Sequence, residues 1–292
     1  MLNSKSFLIK IAKILPDRAY ISLMYFRNFH KMPNLDHPQS YNEKIQWLKL
    51  YDRDPIYNIM VDKYRVKEFV ANKIGAEYVV PLLGVWKNVD EIDIEKLPQK
   101  FVLKLNNGHG VDICKDKVHF DLKRAKKSLK KQMKNNLYWY GREWAYKNVT
   151  PYIIAEEFIG SEEEDFLIDY KVMCFNGKAI FVQVISGRGQ ELGNIITKVD
   201  FYDREWNKTT ISQEGGCSNV NLEKPVFFDE MISLSEKLAE NITNVRVDWY
   251  FEKNQLYFGE FTFYDGSGFI PFINPEDDKL VGSHLKLPIR IK

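Results

Sequence analysis

The stretch 244–263, NVRVDWYFEKNQLYFGEFTF, decides the fold. It reads as two apolar, aromatic strands joined by a polar turn, and each strand carries one acid, Asp248 and Glu260. Side chains alternate along a strand, so Arg246, Asp248 and Tyr250 share one face, as do Phe258, Glu260 and Thr262. In a hairpin the positions of directly opposed residues add to a constant. A three-residue loop at Lys253, Asn254 and Gln255 would set Asp248 against Glu260. A two-residue loop would set Asp248 against Gly259 and turn Glu260 to the other face, unless a bulge intervenes. The expectation is the three-residue loop, or the two-residue loop with a bulge. Opposed like charges destabilise a sheet, so the pair calls for a cation between them. Mg²⁺ is the natural one, because one or two carboxylates hold it while phosphates and waters complete its shell. Two acids on a solvated face is the alternative that this stretch alone leaves open.

The chain has 292 residues, 45% of them hydrophobic, enough to bury a core as one large domain or two smaller ones. A formal net charge of +2 argues against a dedicated nucleic-acid binder. Cys114, Cys174 and Cys217 are odd in number, widely spaced and without a CxxC pair. That pattern opposes a disulfide framework or a structural zinc site and points to a reducing compartment, the cytoplasm. No apolar run is long enough to cross a bilayer. The opening residues carry a short apolar segment broken by Lys10 and Lys13. They read as an amphipathic helix ending before Pro16 and packed on the body of the protein, with peripheral membrane contact as the alternative.

Residues 1–60 look helical and irregular. Ser40 and Glu43 in SYNEKIQWLKLYD form a capping box ahead of Ile45, Trp47, Leu48 and Leu50. VDKYRVKEFVANKIG follows at helical spacing and stops at Gly75. YVVPLLGVW is a short strand and turn. From about Leu97 the pattern is β: strand, glycine loop and strand in KFVLKLNNGHGVDICKD, then a strand entering a turn in YIIAEEFIG. IDYKVMCFNGKAIFVQVIS is a hairpin around Asn176 and Gly177. Residues 226–242 form a helix, and 204–224 is the nearest thing to a flexible loop. Between the β segments lies the basic helix DLKRAKKSLKKQMKNN, without interleaved aromatics. It reads as a solvated helix face, with an anionic polymer or membrane contact as the alternative.

Four constellations can carry chemistry. Lys104 sits in a strand that runs into Asn106, Asn107, Gly108, His109 and Gly110. Glycines let backbone N–H groups approach an anion, and the lysine adds charge. The spacing is neither a P-loop nor a dinucleotide fingerprint, and a plain turn is the alternative. In IIAEEFIG, Glu156 and the backbone at Glu157 and Ile159 can meet a planar base, or the strand simply ends in solvent. Asp169 and Lys171, two apart on one strand face, suit ribose hydroxyls beside a phosphate or carboxylate, or a surface ion pair. Arg188, past the hairpin, can return to the same face. In WYGREWAY, Arg142 and Glu143 amid aromatics offer a substrate contact or part of a core.

The order of these segments resembles an ATP-grasp enzyme. It resembles most closely the TupA-like ATP-grasp family, named for teichuronopeptide biosynthesis. The blocks that carry the resemblance run from about Phe26 to Leu287: SYNEKIQWLKLYDRDP, DKYRVKEFVANKIG, VVPLLGVW, FVLKLNNGHG, GREWAYKN, IIAEEFIG, DYKVMCFNGK, VRVDWY and FGEFTFYDGSGF. The resemblance implies an α+β fold in which two α+β subdomains clamp ATP. It divides the chain into a short helical region, 1–60, and an ATP-grasp domain, 61–292. The lid would cover about 98–158 and the Mg²⁺-binding subdomain about 159–292. It implies that Lys104 contacts the α- and β-phosphates, under a loop of Gly108, His109 and Gly110. Glu156, Glu157 and Ile159 would frame adenine, and Asp169 would take the ribose, with Glu163 as its rival. Lys171 would face the γ-phosphate or acyl phosphate, and Asp248 and Glu260 would hold Mg²⁺. Many members have Glu-x-Asn where this chain has Glu260-Phe261-Thr262. A hydroxyl is a weaker metal ligand than an amide carbonyl, so Thr262 is not counted as one.

The implied activity is an ATP-dependent carboxylate–amine ligase working through an acyl phosphate, with Lys171, Arg188 and Arg246 neutralising charge. The implied partners are a uronic acid, free or nucleotide- or lipid-linked, and an amine or amino acid, in bacterial surface polysaccharide biosynthesis. The alternatives are a sugar kinase, a glycosyltransferase and a non-catalytic binding protein.

Overall fold

Four helices open the part of the chain described in the computed structural model, which covers residues 13–108, 110–160, 168–185, 188–191 and 194–289. They are α1 (Asp17–Phe29), α2 (Tyr41–Tyr51), α3 (Ile56–Met60) and α4 (Val66–Ile74). The helix expected before Pro16 lies mostly outside the described residues. The capping box forms: the Ser40 hydroxyl accepts from the Glu43 N–H at 3.3 Å, and the Glu43 carboxylate accepts from the Ser40 N–H at 3.4 Å.

The first sheet holds β1 (Leu82–Trp86), β2 (Phe101–Leu105), β3 (Val111–Cys114) and β4 (Ile153–Glu157), in the order β1-β4-β2-β3 and antiparallel throughout. Along β2 the pleat sends Phe101, Leu103 and Leu105 into a core and Lys104 to the opposite face. Helices α5 (Leu122–Gln132) and α6 (Tyr138–Gly141) lie between β3 and β4, and Leu129 of α5 completes that core.

The second sheet takes β5 (Asp169–Phe175) and β6 (Lys178–Ile185), then, after a separate ribbon of β7 (Arg188–Glu191) and β8 (Asn194–Thr197), β9 (Asp200–Asp203), β10 (Asn244–Glu252) and β11 (Gln255–Thr262). Its order is β11-β10-β5-β6-β9. Helix α7 (Phe228–Leu238) packs against its centre, where the buried Trp249 indole donates to the Ser235 hydroxyl at 2.8 Å. Helix α8 (Pro275–His284) returns to α2, with the Asn42 N–H on the Asp278 carboxylate at 2.9 Å. Among the described residues no helix is long and apolar enough to cross a membrane.

The decisive hairpin takes the two-residue turn, not the three-residue loop. Glu252 opposes Gln255, and Lys253 and Asn254 sit at φ 50° and 61°, the left-handed pair that matches strand twist. A bulge then restores the pairing of the acids: Trp249 opposes Phe258 while Asp248 opposes Glu260, which leaves Gly259 as the extra residue. A Cβ there would come 2.9 Å from the Tyr250 ring and 3.1 Å from the Asp248 carbonyl oxygen, so the bulge selects glycine. Residues 204–224 are fastened where a flexible loop was expected. Trp206 stacks on Tyr202 with ring centroids 4.3 Å apart, and Lys208 pairs with the buried Asp200 at 2.8 Å.

Candidate active site

A cavity of about 430 Å³ separates the two sheets. From the first sheet it is lined by Lys104 and Gly108, and from the end of β4 by Glu156, Glu157 and Ile159. From the second sheet come Asp169, Lys171 and Glu260. The sequence motifs that looked separate therefore face one space. His109 and Glu163 lie outside the described residues, and Arg188 opens the β7–β8 ribbon, outside both large sheets.

The second-sheet wall is a cross-strand row. Lys171 on β5 opposes Asp248 on β10, and Asp248 opposes Glu260 on β11. The Lys171 ammonium lies 2.7 Å from Asp248 and 3.7 Å from Asp169. Arg246, two residues along the same face, clamps Asp248 with its Nε at 2.7 Å and Nη2 at 2.8 Å. It also donates to Asp265 and, at 3.2 Å, to the Thr262 hydroxyl. Gln183, next in the row after Lys171, donates to Asp265 at 3.1 Å. Burial alone would lower the Arg246 pKa, but Asp248 and Asp265 outweigh it and hold the value well above its usual range.

Sequence reasoning missed two lysines. Lys63 lies 2.8 Å from Glu260 and donates to the Gly108 carbonyl at 3.2 Å, tying the glycine loop to the acid row. Lys67 lies 2.8 Å from Glu156 and donates to the Val80 carbonyl at 2.7 Å. Lys104 takes the other Glu156 oxygen at 2.5 Å, so this buried carboxylate is shared by two lysines. Burial pushes the Glu156 pKa up, but the two lysines outweigh it and leave it below the ordinary value. The available signal was the i,i+4 spacing of Lys63 and Lys67 in DKYRVK, which puts both on one side of the turn entering α4. Their position is fixed by Asn106, fully buried, whose side chain donates to Asp62 at 2.9 Å and accepts from the Tyr152 N–H at 2.8 Å. Asp265 was also missed. Arg142, read as a possible substrate contact, is a core cation: it is buried, ion-paired with Asp17 at 3.1 Å, and packed on the rings of Tyr20, Tyr138 and Trp139.

The Glu260 carboxyl gives a pH prediction. Burial pushes its pKa up, but Lys63 first, then Arg246 and Lys171, carry it down from 4.5 to about 2. A depressed carboxyl pKa adds stability that is complete above 4.5 and is lost as pH falls toward 2. The stability difference between wild type and Lys63→Met is therefore expected to be largest at neutral pH and to shrink below pH 4.5. Urea unfolding across that range checks it; a difference that grows on acidification contradicts the Lys63–Glu260 pairing.

The donor set fits a magnesium ion better than a metal that needs an all-protein cage. Among the described residues no three His, Cys, Asp or Glu side chains cluster for a metal. Glu260 lines the cavity and Asp248 is buried beside it in register, and one or two carboxylates are the kind of set Mg²⁺ uses when phosphates supply its other oxygens. Both Asp248 oxygens are engaged by Arg246, whereas Lys63 engages one oxygen of Glu260, Oε2.

The model of the TupA-like ATPgrasp family matches residues 43–286, most of the chain. The chain belongs to the TupA-like ATP-grasp family. Its two-sheet α+β architecture is thus an ATP-grasp fold. Among solved structures it is similar to the ATP complex of D-alanine–D-alanine ligase from Bacillus anthracis, at 14% identity over 70% of this chain and 54% of that one, with a TM-score of 0.41. It is also similar to the β,γ-ATP complex of biotin carboxylase from Campylobacter jejuni, at 15% identity over 80% and 48%, with a TM-score of 0.40. The ATP-grasp ligase PsnB with its minimal precursor gives 11% identity over 78% and 61%, with a TM-score of 0.42. The chain spans about half the length of these proteins. No curated protein matches it. The family match, not these distant likenesses, carries the assignment.

Proposed function

We propose that this ATP-grasp protein is an ATP- and Mg²⁺-dependent carboxylate–amine ligase. The observation that carries the reading is that Lys171 and Glu260, joined through the buried Asp248 between them on the sheet, line the same cavity as Lys104 and Gly108. Asp248 and Glu260 would hold Mg²⁺, which when bound supplies charge neutralisation to phosphate oxygens. Lys104, oriented by Glu156, takes the α- and β-phosphates under the loop of Gly108, His109 and Gly110. Lys63 exchanges Glu260 for phosphate when nucleotide arrives. The backbone at Glu157 and Ile159 receives adenine, and Asp169 receives the ribose. Lys171 faces the transferring phosphoryl group. Arg246 acts through Asp248, which it fixes, and Arg188 adds cationic charge for the transfer.

The substrate carboxylate oxygen attacks the γ-phosphorus, the bond to the ADP oxygen breaks, and an acyl phosphate forms. An amine then attacks the acyl carbon, an amide forms, and inorganic phosphate and a proton leave. The chain supplies positioning and cationic charge for both transfers, and no protein nucleophile is required. The substrates are a uronic acid, on a free sugar or on a nucleotide- or lipid-linked one, and an amino acid or other amine, for a surface polysaccharide made in the cytoplasm. A screen of uronic acid and amine pairs for ADP release tests this. ADP release that needs both partners supports the ligase. ADP release with a neutral sugar alone, yielding a stable sugar phosphate, makes the protein a kinase instead.

A further inference from the structure

Helix α5 carries a charge pattern that its own folding does not explain. Lys123, Lys127 and Lys130 follow one another at i, i+4 and i+7, a single stripe about 10 Å long, and Lys134 follows in the turn just past the end of the helix. Lys131 flanks it, and all five side chains are exposed. Among the described residues none of the five makes an ion pair, whereas Arg124 pairs with Asp112 at 3.4 Å. A solvated helix face usually alternates signs, which adds favourable i,i+4 pairs; here Lys123–Lys127 and Lys127–Lys131 are both repulsive. The macrodipole favours Lys130 and Lys131 in the last turn, but it opposes Lys123 and Arg124 in the first. The chain as a whole carries only +2, so the charge is concentrated on this helix.

We propose that the α5 stripe docks a linear acidic polysaccharide, one carboxylate per sugar, which is the acceptor or the growing product of the ligase reaction. The inference rests on the ligase reading for the identity of the polymer. Charge complementarity and the regular spacing of the lysines select a linear polyanion. A lipid surface fits less well, because the apolar residues Ala125 and Leu129 are buried and the outer face offers nothing to insert. A nucleic acid fits less well, because the stripe has no aromatic ring on which bases could stack. The stripe also leads to the site. Gln132, in the last turn of α5, sits so close to the glycine loop that a Cβ on Gly110 would meet its amide at 2.8 Å, and one on Gly108 at 3.4 Å. A polymer lying on the stripe has its end beside the loop that lines the cavity.

The test is binding of a fluorescent oligogalacturonate to the full chain, with and without about 0.15 M salt. The variant Lys123→Gln/Lys127→Gln/Lys130→Gln is compared with the matching triple Lys→Arg variant. The expected result is salt-sensitive binding to wild type and the Arg variant, and about tenfold weaker binding to the Gln variant. Thermal stabilisation by an ATP analogue should be equal in all three, so a failure of the nucleotide site is read separately from a failure of the stripe. Equal oligogalacturonate binding by the Gln variant and wild type overturns the proposal. So does no binding to wild type, or tighter binding of phosphatidylglycerol vesicles or single-stranded DNA than of the oligogalacturonate.

Discussion

Replacing Asp248 by asparagine is expected to remove about 3–5 kcal/mol of stability and to abolish turnover. The side chain is almost fully buried and receives three contacts from two cations, Arg246 and Lys171. Asparagine keeps the shape and removes the charge. Arg246 is then left with Asp265, and Lys171 with Asp169 at a longer distance. Arg246 and Lys171 then face each other across an amide, and the arginine stays protonated throughout. The loss should appear in urea unfolding followed by tryptophan fluorescence, and the missing turnover in ADP release. A stability loss below about 1 kcal/mol, the range of exposed ion pairs, would mean that the clamp is not formed in solution.

Replacing Glu156 by glutamine is the second large effect, about 3 kcal/mol of stability together with weaker ATP binding. One buried carboxylate neutralises Lys67 and Lys104, so the amide leaves two lysines in a low-dielectric pocket with no anion between them. Lys104 loses the partner that holds it toward the cavity. Adding Lys67→Met should return part of the stability by removing one of the uncompensated charges, with a coupling of about 0.5–3 kcal/mol in a double-mutant cycle. Strict additivity of the two substitutions would show that the triad does not act as a unit.

Local periodicity made much of this readable. The apolar run around Lys104 gave the strand that leads into the glycine loop, and the spacing of Ser40 and Glu43 set the start of α2. The facing of Asp248 and Glu260 was legible too, but not the way it is achieved. A longer loop and a shorter loop with a bulge leave the same polarity pattern, and only the left-handed backbone at Lys253 and Asn254 and the crowding around Gly259 separate them. Lys63 and Lys67 were hidden for another reason. Their partners, Glu260 and Glu156, are distant in sequence, and a period count registers a lysine on a helical turn as solvated. Arg142 shows the converse. An arginine among aromatics looks like a binding group until its ion pair and three rings prove to be interior.

The most direct test of the central claim, that this cleft binds ATP with Mg²⁺ between Lys104 and the Asp248–Glu260 row, is thermal unfolding with a non-hydrolysable ATP analogue plus Mg²⁺. It is run beside a UDP-sugar plus Mn²⁺, on wild type and Glu260→Gln. Binding to the folded state raises the midpoint by mass action. The account predicts that the ATP analogue stabilises wild type, that the shift is much smaller for Glu260→Gln, and that the UDP-sugar does little. Stabilisation by the UDP-sugar alone would contradict it and make the cleft a nucleotide-sugar site of a glycosyltransferase.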